Sequence, residues 1–201
     1  MSDAAFDWLE RLLATRGRRE ANPGDLPAAS VALVLRRGPQ GPEVLLIRRA
    51  DRPGDPWSGH MALPGGRSDP QDQDAEHTAA RETLEEVGID LRRHGRLLGA
   101  LDQVRPVSRR APGILVSPYV YAVDSTSQVR QNHEVALALW VPLAELSSAD
   151  AVTEYLYVLE DGTSVAFPAY GAGGHVVWGL THRILTSFLR AWRDAVATGE
   201  Q

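Results

Sequence analysis

The chain has 201 residues, 43% of them hydrophobic and 23% charged, with a net charge of −5, which describes a globular protein large enough for one sizeable core. All 21 basic residues are arginine and they form no basic tract, which argues against a nucleic-acid partner. There is no cysteine, so disulfide and thiolate chemistry are excluded, and with no signal-like or membrane-length apolar run a cytoplasmic protein without a membrane partner is expected.

Taken in order, residues 4–19 are predicted to form a helix with Phe6, Leu9 and Leu13 on one face. The segment Asn22-Pro23-Gly24-Asp25-Leu26-Pro27 breaks the chain, dividing a helix and linker over 1–27 from a domain over 28–201. That first helix could cap the domain or contribute to a homodimer. Ser30–Arg36 and Glu43–Arg49 are expected as a hairpin around the turn 37–42, and His60–Leu63 as a short strand after the loop 50–59. A helix follows, containing Arg81–Val87. Further strands are expected at Arg96–Val104, Ile114–Val123 and Glu134–Val141, and a second hairpin at Val152–Leu159 and Val165–Phe167 around Asp161-Gly162. Pro142–Leu146 starts a short helix, and a last helix over about 175–197 carries Trp178, Leu185, Trp192 and Val196 at helical spacing. Consecutive hairpins rule out a simple parallel wound sheet, so the fold class is α/β, an α/β/α sandwich on a mixed sheet.

The chemistry concentrates in Gly65-Gly66-Arg67 and Arg81-Glu82-Thr83-Leu84-Glu85-Glu86-Val87-Gly88-Ile89. Glu82, Glu85 and Glu86 share one helical sector, with Ala80, Leu84 and Val87 expected on the opposite side. Like charges so spaced destabilise a helix by roughly 0.2–0.5 kcal/mol per pair, so a cation is expected among them. A hard divalent ion, Mg²⁺ or Mn²⁺, suits carboxylate oxygens; the alternative is a solvated acidic face with Arg81 pairing to Glu85. Gly88 stands where a left-handed helix cap belongs, and the paired Gly65-Gly66 would let a ligand approach the backbone, making Gly66 a candidate substrate contact.

These residues resemble the Nudix hydrolase box, G-x5-E-x7-R-E-U-x-E-E-x-G-U with U apolar. The half from Arg81 to Ile89 matches, with Thr83 at the first apolar position. Counted back from Arg81, the first box glutamate falls at Gln73, and the spacer from Gly66 is one residue longer than standard; Asp72, Asp74 and Glu76 flank it, with Asp74 a helix N-cap. The lengthened spacer, Gly65-Gly66-x-x-Asp69-Pro70-x-Asp72, and the segment Phe167–Leu189 resemble the coenzyme A diphosphatase branch, whereas the segment Ala50–Gly59 departs from it. The resemblance implies a Nudix fold over about 28–190 and hydrolysis of a diphosphate linkage in a nucleoside diphosphate derivative. Coenzyme A or an acyl-CoA is the first expectation and a nucleotide sugar or ADP-ribose the second. A catalytically weak nucleotide sensor is the reading from another class, suggested by Gln73.

Glu82, Glu85 and Glu86 are then the expected metal ligands, joined through the resemblance by the Gly65 carbonyl, and Arg81 would orient a glutamate through a bidentate pair. Such clustered charge answers what phosphoanhydride cleavage needs, stabilised oxygens and an activated water. Glu134, at a strand entry, is either a further metal ligand or base, or a surface acid. Arg48, Arg49, Arg105, Arg109 and Arg110 are candidate phosphate contacts, since a guanidinium fork matches phosphate geometry. Trp57 could stack on a base; Trp178 and Trp192 are expected in the core, His60 as a phosphate contact or a half-buried hydrogen-bonded histidine, and Gly171–Trp178 as a flap or plain loop.

Overall fold

Residues 28–38 are aliphatic on both alternating sets of positions, which is what a strand buried on two faces requires. They form β1 (Ala28–Gly38) at the centre of the sheet, in a computed structural model that describes residues 4–21, 26–55, 57–106, 113–159 and 161–199. Leu33 and Leu35 point into one apolar cluster, Ala32 and Val34 into another. Beside β1 lie β2 (Gly41–Arg49), antiparallel, and β6 (Leu115–Val123), parallel; β5 (Gly95–Ala100) runs antiparallel to β6, so the sheet is mixed. β7 (Val135–Pro142) lines the far edge of β2.

The sheet splits where the chemistry lies. β1 and β2 pair only from Leu35 and Val44 toward their turn, and the opening is filled by β3 (Met61–Ala62) against β2 and β4 (Gly65–Arg67) against β1. The Ala32 amide donates to the Pro64 carbonyl at 2.8 Å, which locks the intervening turn into the split.

One face of the sheet is covered by α2 (Ala75–Val87), whose Ala79, Ala80 and Val87 meet Ala32, Val34, Leu45 and Ile47. The other face is covered by α1 (Ala4–Arg16) and α5 (Gly179–Gly199), whose Leu9, Leu13, Phe188 and Trp192 pack with Leu33, Leu35 and Leu46. This is the α/β/α sandwich that the element pattern predicts. Two short helices, α3 (Leu91–His94) and α4 (Leu143–Leu146), complete the connections. Among the described residues no helix is long and apolar enough to cross a membrane.

Three expectations shift. The first helix stops at Arg16, because Gly17 takes φ 70° and closes it in the left-handed conformation. The β5 strand ends at Ala100, with Val104 making only an isolated bridge to Val116. The last helix starts at Gly179, because Gly173 and Gly174 adopt φ 55° and 80° and turn the chain into a tight hairpin. β8 (Val152–Val158), β9 (Ser164–Ala172) and β10 (His175–Trp178) therefore form a second, three-stranded sheet, and Gly171–Trp178 is ordered strand and turn. Trp192 is a core residue, 8% exposed; Trp178 sits on the small sheet instead.

Leu9 is fully buried between α1, α5 and the sheet. Leu9→Ala is expected to cost about 2–5 kcal/mol, read as a lower urea midpoint with an unchanged slope. A change under about 0.5 kcal/mol would show that α1 contributes little to the fold.

Candidate active site

Asp74 begins α2 as predicted, accepting the His77 amide at 2.8 Å, and Gly88 ends it at φ 72° with its N–H on the Leu84 carbonyl. The inner face differs from the one expected. Thr83 and Glu86 are buried with Ala80 and Val87, while Leu84 is 46% exposed. The helix tolerates a carboxylate inside because the Gly65 amide, presented by the split in the sheet, donates to Glu86 Oε2 at 2.9 Å. Gly65 itself sits at φ 151°, and a Cβ there would collide with the Ser30 carbonyl. At Gly66 a Cβ would crowd the tip of the Glu82 side chain, which can swing aside, so the position whose backbone requires glycine is Gly65.

Arg81 gathers the acids. Its Nε and Nη2 donate to the two oxygens of Asp72 at 2.9 and 3.1 Å, and Nη2 also donates to the Arg67 carbonyl at 3.1 Å. Nη1 lies 2.9 Å from Glu82 and 3.3 Å from Glu85. The bidentate pair expected for Arg81 thus goes to Asp72, not to a box glutamate. Asp72 is the residue that counting back from Arg81 misses; counting forward from Gly66 by the box interval lands on it. The extra residue of the spacer is absorbed between Asp72 and the N-cap, leaving Gln73 exposed with its amide on His77 Nδ1.

The three glutamates are not equivalent. Burial pushes the Glu86 carboxyl up to about 7; the Gly65 N–H and Arg49 oppose this, while Glu82 and Glu134 reinforce it. Burial also raises Glu82, against Arg81 and with Glu85 and Glu134. Glu85 has a side chain 54% exposed and leans on Arg81. Arg49 sits near Glu86, bonded to Asp55 at 2.7 Å, with a buried Nε that has no partner. Glu134 pairs with Arg52 at 2.9 Å, and its carbonyl accepts from the Ala50 amide, which brings the β7 entry up to the loop after β2.

Other expected residues lie farther out or are held differently. Arg48 bends toward Asp51 at 3.4 Å. Trp57 has its amide tied to Asp55 Oδ1, in the same loop as Arg52 and His60. His60 is half-buried in ring contact with Trp178 and Tyr155, and burial lowers it below the usual imidazole value. Arg105 gives its carbonyl to Arg183. Arg109 and Arg110 lie outside the described residues.

Among the described residues no three acidic or histidine side chains form a ready-made metal cage, because Arg81 draws Glu82 and Glu85 to itself. The donor set nevertheless fits a hard divalent ion. Mg²⁺ is usually held by one or two carboxylates beside water and substrate phosphate, and Glu86, next to the Arg81-paired Glu82, is a buried carboxylate with no ion pair among the described residues.

Fold and site together define a Nudix hydrolase, and the family model for the NUDIX domain matches residues 26–161; the chain belongs to that family. It is therefore an enzyme acting on phosphoanhydrides, in a family that works with divalent metal ions. Over 109 residues it is 49% identical to an uncharacterized protein of Schizosaccharomyces pombe, covering 52% of this chain but only 33% of that protein's length. Over 166 residues it is 33% identical to the mitochondrial coenzyme A diphosphatase of Homo sapiens, covering 81% of this chain and 68% of that one. Its fold resembles that of a MutT/nudix family protein from Enterococcus faecalis, at TM-score 0.55 and 17% identity over 94% of this chain and 74% of the other.

The Asp72 side chain is 3% exposed, and the Arg81 hydrogen bonds hold its carboxyl well below the usual carboxylate range. A carboxylate depressed on folding stabilises the protein above its unfolded value of about 3.9 and loses that contribution progressively as the pH falls from there through the lower folded value. Asp72→Asn is expected to cost about 1.5–3 kcal/mol at neutral pH. In urea unfolding the gap to wild type should narrow below about pH 4; a gap independent of pH would show that Asp72 does not act through its charge.

Proposed function

We propose that the chain hydrolyses the diphosphate linkage of a nucleoside diphosphate derivative, with coenzyme A or an acyl-CoA as the substrate and Mg²⁺ or Mn²⁺ as the ion. The observation that carries the chemistry is the buried Glu86 carboxyl, fixed by the Gly65 amide, without an ion pair of its own among the described residues, and next to the charges of Glu82 and Glu134. The likeness to the human coenzyme A diphosphatase over most of the chain supports the substrate.

In this reading Glu82, Glu86 and the Gly65 carbonyl would hold the ion, which when bound would supply positive charge for the diphosphate oxygens and a more acidic water. Glu85 and Asp72 anchor Arg81, and Arg81 keeps Glu82 facing the Gly65-Gly66 loop. Arg49, whose side chain is partly exposed, and Arg48 beside it present guanidinium nitrogens to the phosphate oxygens. Glu134 takes the proton of the attacking water, and Arg52 holds it in place. The P–O bond to the bridging oxygen then breaks, leaving two phosphomonoesters.

The departing segment 50–59 favours ADP-ribose or a nucleotide sugar as the second reading. The sensor reading has less support, since the exposed Gln73 stands outside the Asp72–Arg81 pair.

Glu86→Gln preserves the shape and the contact to Gly65 but removes a charge, so kcat is expected to fall at least about a hundredfold, on the order of 3 kcal/mol, with the melting temperature retained. Near-wild-type activity at saturating Mg²⁺ would refute the ligand role. Gln73→Glu should leave kcat/KM within about twofold; a large gain would restore the sensor reading. For the substrate, coenzyme A should exceed 3′-dephospho-coenzyme A at least about tenfold in kcat/KM, the contact to a phosphate dianion being charge-assisted. Faster turnover of ADP-ribose or a nucleotide sugar than of either would defeat the coenzyme A assignment and leave the hydrolase chemistry standing.

A further inference from the structure

The small sheet bears an aromatic surface that the reaction chemistry does not use. Tyr155 on β8 stacks on Trp178 of β10 at 4.2 Å and 13°, reaching across the middle strand where Ala169 is too small to intervene. Phe167 and Tyr157 join Trp178 at 5.5 and 5.9 Å. These residues share one face of the sheet, as the strand register requires: Tyr155 lies opposite Phe167, Tyr157 opposite Val165, and Trp178 opposite Ala169. The face is not closed over, since Tyr157 and Val176 are each 42% exposed.

This surface is continuous with the site. The His60 ring meets Trp178 edge-on at 4.9 Å, and the His60 carbonyl accepts from the Arg49 amide at 3.0 Å. A diphosphate lying against Arg49 and the Gly65-Gly66 loop would send one of its two substituents along the aromatic face. Charge decides which. From residue 131 to 182 the chain has no arginine, and it has no lysine anywhere, while Glu154 and Asp161 lie on or beside these strands. Among the described residues the strands of this face bring no arginine to a ribose that carries a phosphate dianion, and such a ribose suits the side of Arg48 and Arg52 instead. An uncharged arm of methylenes and planar amides suits the aromatic face.

We propose that Tyr155, Tyr157, Phe167 and Trp178 form a subsite for the uncharged arm of the substrate, the pantetheine half if the substrate is coenzyme A. The assignment rests on the substrate class proposed above, and its test separates the two. The two product halves, 4′-phosphopantetheine and adenosine 3′,5′-bisphosphate, are assayed as inhibitors against whichever nucleoside diphosphate derivative the wild type hydrolyses. Tyr155→Leu should raise the inhibition constant of 4′-phosphopantetheine at least about tenfold and leave that of adenosine 3′,5′-bisphosphate within about twofold, with Tyr155→Phe restoring the wild-type value. Should Tyr155→Leu fail to fold, Tyr157→Ser at the exposed ring is read in the same way. A selective loss supports the subsite even if coenzyme A is not turned over, an outcome that would remove only the substrate assignment. Equal loss for both halves, no loss for either, or a wild type that 4′-phosphopantetheine does not inhibit would overturn the subsite.

Discussion

A single hydrogen bond organises the centre of this molecule: the Gly65 amide on the buried Glu86 carboxyl. A carboxylate left unpaired in an apolar interior is far too costly to keep charged, so its placement dictates what surrounds it. The sheet must open to present an amide, the loop must carry a glycine to come close enough, and the helix must dock with its acid-bearing edge turned inward. The split between β1 and β2, filled by β3 and β4, meets the first of these requirements. The collision a Cβ on Gly65 would make with the Ser30 carbonyl explains the second.

Around that bond, charge is organised at two levels. Arg81 neutralises the outer acids by binding Asp72 through both oxygens and touching Glu82 and Glu85 with its remaining nitrogen. Glu86 receives no such partner; Arg49 comes near, but its strongest contact is Asp55. The arrangement leaves Glu86 as the buried carboxylate without an ion pair among the described residues, held by one backbone amide. A solvated acidic face would show the opposite, three exposed carboxylates with no preference among them.

The aromatic sheet and the arginine-bearing loop divide the neighbourhood of the site by chemistry. Loop 50–59 is stitched by Arg49–Asp55 and Arg52–Glu134, so Arg52 and the strand-end Arg49 are positioned and not merely solvated. Across from it, Trp178 and Tyr155 offer flat apolar area and no charge. Binding energy on such a surface comes from area and stacking, which tolerates variation in the arm, whereas recognition of phosphate is directional and strict.

From the sequence by itself came the central strands, the acidic helix with both caps, and the family. Each of these is a local pattern: aliphatic runs, Asp74 and Gly88 at the helix ends, and the spacing of Arg81, Glu82, Glu85 and Glu86. Local patterns do not say which edge of a helix faces inward, and so Leu84 and Glu86 exchanged their expected positions once the Gly65 amide supplied a partner across 21 residues of chain. Nor does periodicity separate a strand of four residues from the first turn of the helix after it, and only the pairing of His175–Trp178 with β9 moved Trp178 out of α5 and onto an aromatic face. The partner of Arg81 was settled in the same way. Asp72 lies at the box interval from Gly66 but not from Arg81, and the fold could satisfy only one of the two counts, because the extra residue has to be placed where the chain can turn before Asp74 caps the helix.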